Sequence, residues 1–328
     1  MFAAEDVGIL RGVSFTDPWL DGGFCSFGEA WRRGVRVLVT GAAGMLGSDV
    51  CGALAAKHEV IATDVRGDCD WLPGECKTLD VTDADAVMAV VGEARPEFVV
   101  HCAAYTDVDG CERDPEQAYR VNICGTWNVA AACEQSNAAI LHISTDFVFD
   151  GEKDSDYDEF DEPRPLSHYG RSKWASEQIV WDIGRKHYIV RTAWLYGEKG
   201  RNFVTTILKA ASEGKDLKVV ADQVGSPTYT KDLAEFIASV VGSPLYGLYH
   251  VTNKGSCSWY ELAAKAVDLA RIKATVTPIS SSDWPTPARR PKRSALRHLS
   301  LEMQGRDNIR SWEEALAEFV GKWTTARR

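Results

Sequence analysis

The sequence predicts an α/β protein built on a doubly wound parallel sheet, with a smaller C-terminal α/β region. Three observations carry that prediction. A short apolar segment, 35–40, runs directly into the glycine-rich turn Thr40-Gly41-Ala42-Ala43-Gly44-Met45-Leu46-Gly47. Strand-like and helix-like segments then alternate as far as Arg191. Tyr169 and Lys173 follow at the distance expected between a dinucleotide-binding turn and an acid–base pair.

The elements follow in order. Residues 35–40 are a buried strand, and 45–57 a helix with Leu46, Val50 and Leu54 on one face. Residues 59–63 and 77–79 are the next strands, the latter ended by Asp80. A helix over 83–93 starts at Asp83, whose carboxylate can cap free N–H groups. A buried strand covers 98–102. A long helix spans 115–135, with Pro115 suited to its first turn. Strand 139–144, an acidic loop at 150–165, helix 167–186 and strand 188–191 complete the alternation, which implies a parallel sheet covered on both faces, a Rossmann-like arrangement. Residues 35–192 are read as the dinucleotide-binding domain and 193–328 as mainly a substrate-binding domain, with a return to the sheet near 246–251. Residues 1–34 show no periodicity and no signal-peptide pattern, and are expected to be a poorly ordered extension or the product of an upstream start site.

Composition narrows the function. The net charge is −10 over 328 residues, 45% of them hydrophobic. That charge argues against a nucleic-acid partner, which demands basic surface. No stretch is long and apolar enough to cross a bilayer as a helix, so no membrane role is expected. The nine cysteines are scattered without a CxxC pair, which points to reduced thiols in a cytoplasm and to no metal site.

The glycine spacing Gly-x-x-Gly-x-x-Gly between a strand and a helix fits a nicotinamide dinucleotide. Gly41 permits the turn, Gly44 lets backbone approach a pyrophosphate, and Met45 and Leu46 open a helix whose N–H groups favour phosphate. Asp64, with Val65, ends the second strand where a carboxylate can bond ribose hydroxyls. That leans to NADH, while Arg66 offers a partner for the 2′-phosphate of NADPH. Asp80, with Val81, either bonds an adenine amino group or caps the next helix. Ala103-Ala104-Tyr105 follows the fourth strand, and its small residues leave room for a cofactor. Asn122 lies within the long helix.

Tyr169 and Lys173 stand four apart on a helix and face one side. A nearby ammonium and a positively charged oxidised nicotinamide are expected to lower the phenol's pKa and suit it to general acid catalysis. Thr145 ends the fifth strand and can polarise a carbonyl, with Ser144 competing for that role.

At this point the chain resembles the extended short-chain dehydrogenase/reductases and, within them, the dTDP-4-dehydrorhamnose reductase family. The resemblance rests on the glycine turn, 103–109, Ser144-Thr145-Asp146-Phe147-Val148-Phe149-Asp150-Gly151, Tyr169-Gly170-Arg171-Ser172-Lys173, Arg191-Thr192-Ala193-Trp194-Leu195-Tyr196 and Asp222-Gln223-Val224-Gly225-Ser226-Pro227-Thr228. It implies NADPH- or NADH-dependent reduction of the C4 ketone of a nucleotide-linked 4-keto-6-deoxy sugar. Thr145, Tyr169 and Lys173 match the family's catalytic residues. Thr145, Asp146, Trp194, Asn202 and Arg290 fall at its substrate site, and a homodimer is left open. Three positions depart from its usual pattern: Ala43 for asparagine, Phe147 for tyrosine, and Ser294-Ala295-Leu296-Arg297 for Ser-Arg-Leu-Asp. The alternatives are a nucleotide-sugar epimerase or dehydratase, which Asp146 beside Thr145 would permit, and a non-catalytic regulatory subunit like that of methionine adenosyltransferase. Arg289, Arg290, Lys292, Arg293 and Arg297 form a basic run suited to a diphosphate or to solvent.

Overall fold

The computed structural model describes residues 34–67 and 76–326; the expectations for residues 1–33, Cys25 and Cys69 lie outside the described residues. In chain order the first half runs β1 (Arg36–Thr40), α1 (Met45–Ala55), β2 (Glu59–Asp64), β3 (Cys76–Thr78), α2 (Ala84–Ala94), β4 (Phe98–His101), α3 (Val108–Arg113), α4 (Pro115–Tyr119), α5 (Gly125–Ser136), β5 (Ala139–Thr145), α6 (His168–Ile183) and β6 (His187–Thr192). The second half runs β7 (Leu195–Tyr196), α7 (Phe203–Ser212), β8 (Leu217–Val220), β9 (Val224–Gly225), β10 (Thr228–Tyr229), α8 (Thr230–Val240), β11 (Gly247–His250), β12 (Cys257–Ser258), α9 (Trp259–Leu269), β13 (Val276–Ile279), α10 (Leu299–Met303) and α11 (Trp312–Thr325).

Seven of these strands make one sheet in the order β11-β6-β5-β4-β1-β2-β3, every neighbour parallel. The doubly wound parallel sheet read from the sequence is the one that forms. Strands buried on both faces need apolar side chains on both, and successive residues divide between two layers. Val37, Val39, Val100 and Leu141 face α1 and α8, meeting Leu46, Val50, Leu54, Leu233 and Ile237. Leu38, Val99 and Ile140 face α2, α5 and α6, meeting Val87, Val91, Val129 and Val180. From β1 the chain winds to β2 and β3 on one side and returns through β4 to β5 and β6 on the other. The crevice at this reversal, at the carboxyl ends of β1 and β4, is where open α/β sheets bind ligands.

One expected element is built differently. The long helix over 115–135 is interrupted by a wide π turn at Arg120–Cys124 between α4 and α5. The turn carries Asn122, whose side-chain oxygen accepts the Tyr105 N–H at 2.8 Å and whose amide donates to the Tyr105 carbonyl at 3.1 Å and to Ser172 Oγ at 2.9 Å. Those bonds tie the loop after β4 to α6, and apolar spacing alone carries no sign of them. Beyond β6, and apart from β11, the strands pair only two at a time, β7 with β10, β9 with β12 and β8 with β13, around a separate core of Tyr196, Leu208, Tyr229, Leu262, Leu316 and Phe319.

Candidate active site

The crevice opens into a cavity of about 770 Å³. The glycine turn makes one wall. Gly41 has φ +66°, and a Cβ there would stand 2.7 Å from the Ala103 nitrogen, so only glycine lets β1's turn lie against the chain leaving β4. A Cβ on Gly47 would overlap the Gly41 carbonyl. Gly44 precedes α1 with no side chain capping the helix, which leaves the first-turn N–H groups and the positive end of its dipole facing the cavity. This cradle fits a dinucleotide's pyrophosphate.

Asp64 is buried, and its oxygens already accept the Ala43 N–H at 3.0 Å and the Arg66 N–H and Nε–H at 3.0 and 3.3 Å. Its carboxylate braces the turn and holds Arg66 at the cavity rim, so the expected repulsion of a 2′-phosphate by Asp64 is offset beside it. The Ala43 departure costs this contact nothing, because the donor is backbone. Asp80 Oδ1 accepts the Thr82 N–H and hydroxyl at 2.9 and 2.8 Å, while Asp83 caps α2 through the Ala86 N–H at 3.0 Å. The cap expected as one role of Asp80 therefore belongs to Asp83.

Thr145, Tyr169 and Lys173 also line the cavity. Ser167 caps α6 by accepting the Gly170 N–H at 3.1 Å. A Cβ on Gly170 would overlap the Phe147 carbonyl, so its absence lets the first turn of α6 settle onto the 3₁₀ turn that follows β5. That contact brings Tyr169 to Thr145, and Phe147 meets the Tyr169 ring edge-on at 5.6 Å. Thr145 Oγ donates to Asp146 Oδ1 at 3.1 Å and accepts the Phe147 N–H at 3.2 Å. Ser144, the competitor, has its hydroxyl committed to Glu177, which also pairs with Arg191 at 2.7 and 2.9 Å in the protein interior. Thr145 is thus the hydroxyl that faces the cavity unencumbered by that ion pair.

Charges around these residues are set mainly by burial. Tyr169 is pushed well above the ordinary tyrosine range by desolvation, with a Thr145 hydrogen bond pulling it partly back and Asp146 pushing it up. The protein's own groups therefore do not supply the expected lowering. The Lys173 ammonium turns to His142 Nε2 at 3.2 Å and is not among the influences on the phenol. Burial brings Lys173 down to about 8, opposed by Glu177 and Cys102. Asp146 is pushed up to about 6 by burial, although Ser294 and Thr145 bond it. Ser294 Oγ donates to Asp146 Oδ2 at 2.5 Å, which joins the segment Arg290-Pro291-Lys292-Arg293-Ser294 to the end of β5.

Second-half residues lining the cavity include aromatic and basic side chains. Trp194 has φ +48°, a left-handed conformation, and its ring stacks on Trp259 with centroids 3.4 Å apart. Gly225 is under that ring, where a Cβ would collide with the indole. Arg290 lines the cavity and is held by Asp109 at 2.9 and 3.1 Å. Its neighbours do not join it in one patch: Arg293 pairs with Asp156 at 2.5 Å and Arg297 with Glu302 at 2.6 Å.

All the expected site residues line the cavity except Tyr105 and Asn202. Tyr105 is engaged through its backbone with Asn122. Asn202 spends its side chain capping α7 through the Thr205 N–H at 2.9 Å and bonding the Gly197 carbonyl at 2.8 Å, so it shapes the wall from behind. Trp259, Gln117 and Arg120 line the cavity unforeseen. The Ser258-x-x-Glu261 capping box marked the start of the helix bearing Trp259, but not its partner. Among the described residues no cluster of three or more side chains could hold a metal, and no helix is long and apolar enough to cross a membrane.

Residues 35–325 match the sequence pattern of the RmlD substrate binding domain. The chain is 37% identical to a dTDP-4-dehydrorhamnose reductase of Aggregatibacter actinomycetemcomitans, across 86% of this chain and 97% of that protein. A solved dTDP-4-dehydrorhamnose reductase from Bacillus anthracis, in complex with NADP, superposes with a TM-score of 0.83 at 41% identity, covering 88% of this chain and 99% of that one. A UDP-glucose 4-epimerase of Thermus thermophilus in complex with NAD follows at a TM-score of 0.78 and 27% identity, covering 89% and 99%.

Proposed function

The chain belongs to the RmlD substrate binding domain family, and from that premise we propose that it reduces the C4 ketone of a nucleotide-linked 4-keto-6-deoxy sugar with NADPH or NADH. The best-supported pair is dTDP-4-dehydro-L-rhamnose and dTDP-L-rhamnose, the chemistry in the names of its relatives. The observation that carries the reading is the convergence of Thr145, Tyr169 and Lys173 on a cavity that also holds the glycine cradle.

When bound, the reduced nicotinamide supplies the hydride. The chain supplies the rest. Gly41, Gly44, Met45 and Leu46 offer the turn and the open helix start to the pyrophosphate, and Asp64, Val65, Asp80 and Val81 border the adenosine end. Ala103 and Ala104 leave room across the strand ends, with Tyr105 fixing that loop. Tyr169 stays protonated at neutral pH because it is buried, so it has a proton to give. An alkoxide is far more basic than a phenolate, so transfer from Tyr169 to the oxygen forming at C4 runs downhill even from a raised value. The Thr145 hydroxyl, once released from Asp146, can donate to the same oxygen and stabilise its charge. Lys173 holds the ribose side. Trp194, stiffened by Trp259, offers a face to the sugar, and Arg290 offers charge to a phosphate.

The same proposal takes residues 35–192 as the dinucleotide-binding part and 193–328 as mainly the substrate-binding part, in a cytoplasmic enzyme. It includes a homodimer, for which Trp127 and Trp181, more than half exposed on α5 and α6, offer an apolar surface. An epimerase or dehydratase would regenerate its cofactor in each cycle, and a regulatory subunit has no use for an intact Thr145, Tyr169 and Lys173. The test is to mix the purified protein with dTDP-4-dehydro-L-rhamnose and either reduced cofactor and follow the nicotinamide absorbance. Stoichiometric loss of absorbance is expected; sugar conversion with the absorbance unchanged would favour the epimerase.

A further inference from the structure

Behind Lys173 lies a polar group that the proposed chemistry leaves unused. His142, on β5, is fully buried, and its Nε2 faces both Lys173 Nζ at 3.2 Å and Ser176 Oγ at 2.9 Å. Its Nδ1 is buried with no hydrogen-bond partner among the described residues. The ring stacks on His101, centroids 5.4 Å apart.

The two histidines differ in how their protons are fixed. Thr126 Oγ donates to the Asn122 carbonyl at 2.7 Å, so it must accept from His101 Nε2 at 3.1 Å. Thr40 Oγ accepts the Ala103 N–H and is left to donate to His101 Nδ1 at 2.7 Å. One neutral tautomer therefore satisfies His101 completely. No single tautomer satisfies His142. The Ser176 hydroxyl has one proton, and it goes to the Lys173 carbonyl at 2.6 Å. Its remaining lone pair faces His142 Nε2 and favours a proton there. A Lys173 ammonium at the same nitrogen favours a bare Nε2, with the proton on Nδ1.

We propose that His142 is the positioning residue for Lys173 and that its tautomer follows the lysine's charge: Nδ1–H opposite an ammonium, Nε2–H opposite an amine. The ring stays neutral in both states. When the lysine deprotonates, its proton leaves for solvent while the imidazole proton changes nitrogen. The other titratable groups bearing on the pair are Glu177 on α6 with its partner Arg191 on β6, Cys102 beyond β4, and His101 on β4. Burial keeps both rings uncharged, His101 at about 3 and His142 well below its ordinary value. It also brings Lys173 to about 8, within reach of ordinary working pH.

The inference rests on the reading of Lys173 as the ribose-holding group, but its test needs neither cofactor nor sugar. Protein carrying ¹⁵N-histidine is titrated from about pH 6 to about pH 10, and the ring nitrogens of His142 are followed, since their shifts separate the tautomers. A crossing from Nδ1–H to Nε2–H is expected with its midpoint near 8, where Lys173 titrates. Lys173→Met should hold His142 as Nε2–H throughout. Ser176→Ala removes the lone pair that opposes Nδ1–H, and should raise the midpoint by about one pH unit. A single tautomer across the wild-type titration overturns the proposal, as does a midpoint indifferent to Ser176→Ala. Absence of reductase turnover would instead sink the functional reading and leave the tautomer result standing.

Discussion

The two halves of the chain reach one cavity by opposite means. In the first, each reactive group sits on regular structure: Thr145 ends β5, and Tyr169 and Lys173 occupy the first two turns of α6. All three are less than a tenth exposed. In the second, Trp194 and Arg290 face the cavity from irregular backbone, although Trp259 faces it from α9. Trp194 is held in a left-handed conformation between β6 and β7, and Arg290 lies outside every helix and strand. A group that must meet a reacting atom within a few tenths of an ångström belongs on an element over-determined by packing. Groups that choose the substrate can sit on segments whose sequence can change without unseating the sheet. Under the proposed function, rate is then assigned to the first half and selection to the second.

The strongest way to break that assignment is Tyr169→Phe. Its turnover should fall by about 10⁴-fold, the upper end for loss of a general acid. Thermal stability should hold, because the ring keeps its edge contact with Phe147. Turnover near wild type would remove the phenol from the chemistry. Next comes Glu177→Gln, which leaves Arg191 buried beside a neutral amide. Breaking a pair of this kind costs about 3–5 kcal/mol, read from a urea-denaturation midpoint. A loss below about 1 kcal/mol would mean that packing alone holds α6 against β5 and β6.

How much could be read in advance divides along the same line. The first half was legible because its constraints are local. A glycine at φ +66° before a helix, an apolar run of strand length and a Tyr-x-x-x-Lys repeat each leave a mark within a few residues. What escaped there was the pairing of buried polar groups. Glu177 and Arg191 meet across a helix and a strand, and Asn122 turns inward because a helix widens, and neither event has a period. The ammonium's share of the expected drop in the Tyr169 pKa is missing for a related reason: sequence spacing set Lys173 near the phenol, whereas the fold sends its ammonium to His142. In the second half the contacts that matter join distant residues, Trp194 to Trp259 and Ser294 to Asp146, so no window of sequence contains them. Asn202 shows the converse. A residue at the right place in a motif proves to be a helix cap, its amide spent on α7 and Gly197.

Asp146 is one of the places where the halves touch, through Ser294, and its titration sharpens the comparison. Its folded pKa, about 6, lies above the 3.8 of an unburied aspartate, so between those values the native state binds more protons than the unfolded chain. Its contribution to stability is therefore greatest in acid, falls as the pH climbs through that window and is level above it. The whole decline amounts to about 3 kcal/mol at most. Asp146→Asn removes the titration, so the wild-type and variant denaturation midpoints should diverge across this window and run parallel above it. Parallel curves at every pH would mean that Asp146 is better solvated than its burial implies.

The smallest effect falls on the second half and discriminates best. Trp259 touches Trp194 face to face, and both line the cavity. Trp259→Leu keeps an apolar side chain but removes the ring stack, worth about 1 kcal/mol. If the second half selects the sugar without shaping the reacting geometry, that energy is lost equally from ground and transition states. The KM for the sugar should then rise about fivefold, with kcat within about twofold of wild type. If kcat falls instead and KM stays, the indole pair must hold the ketone against the phenol, and the second half shares in setting the rate. A conformation as costly as φ +48° at a tryptophan needs a firm counterpart to persist, and the flat face of Trp259 is the surface that supplies it.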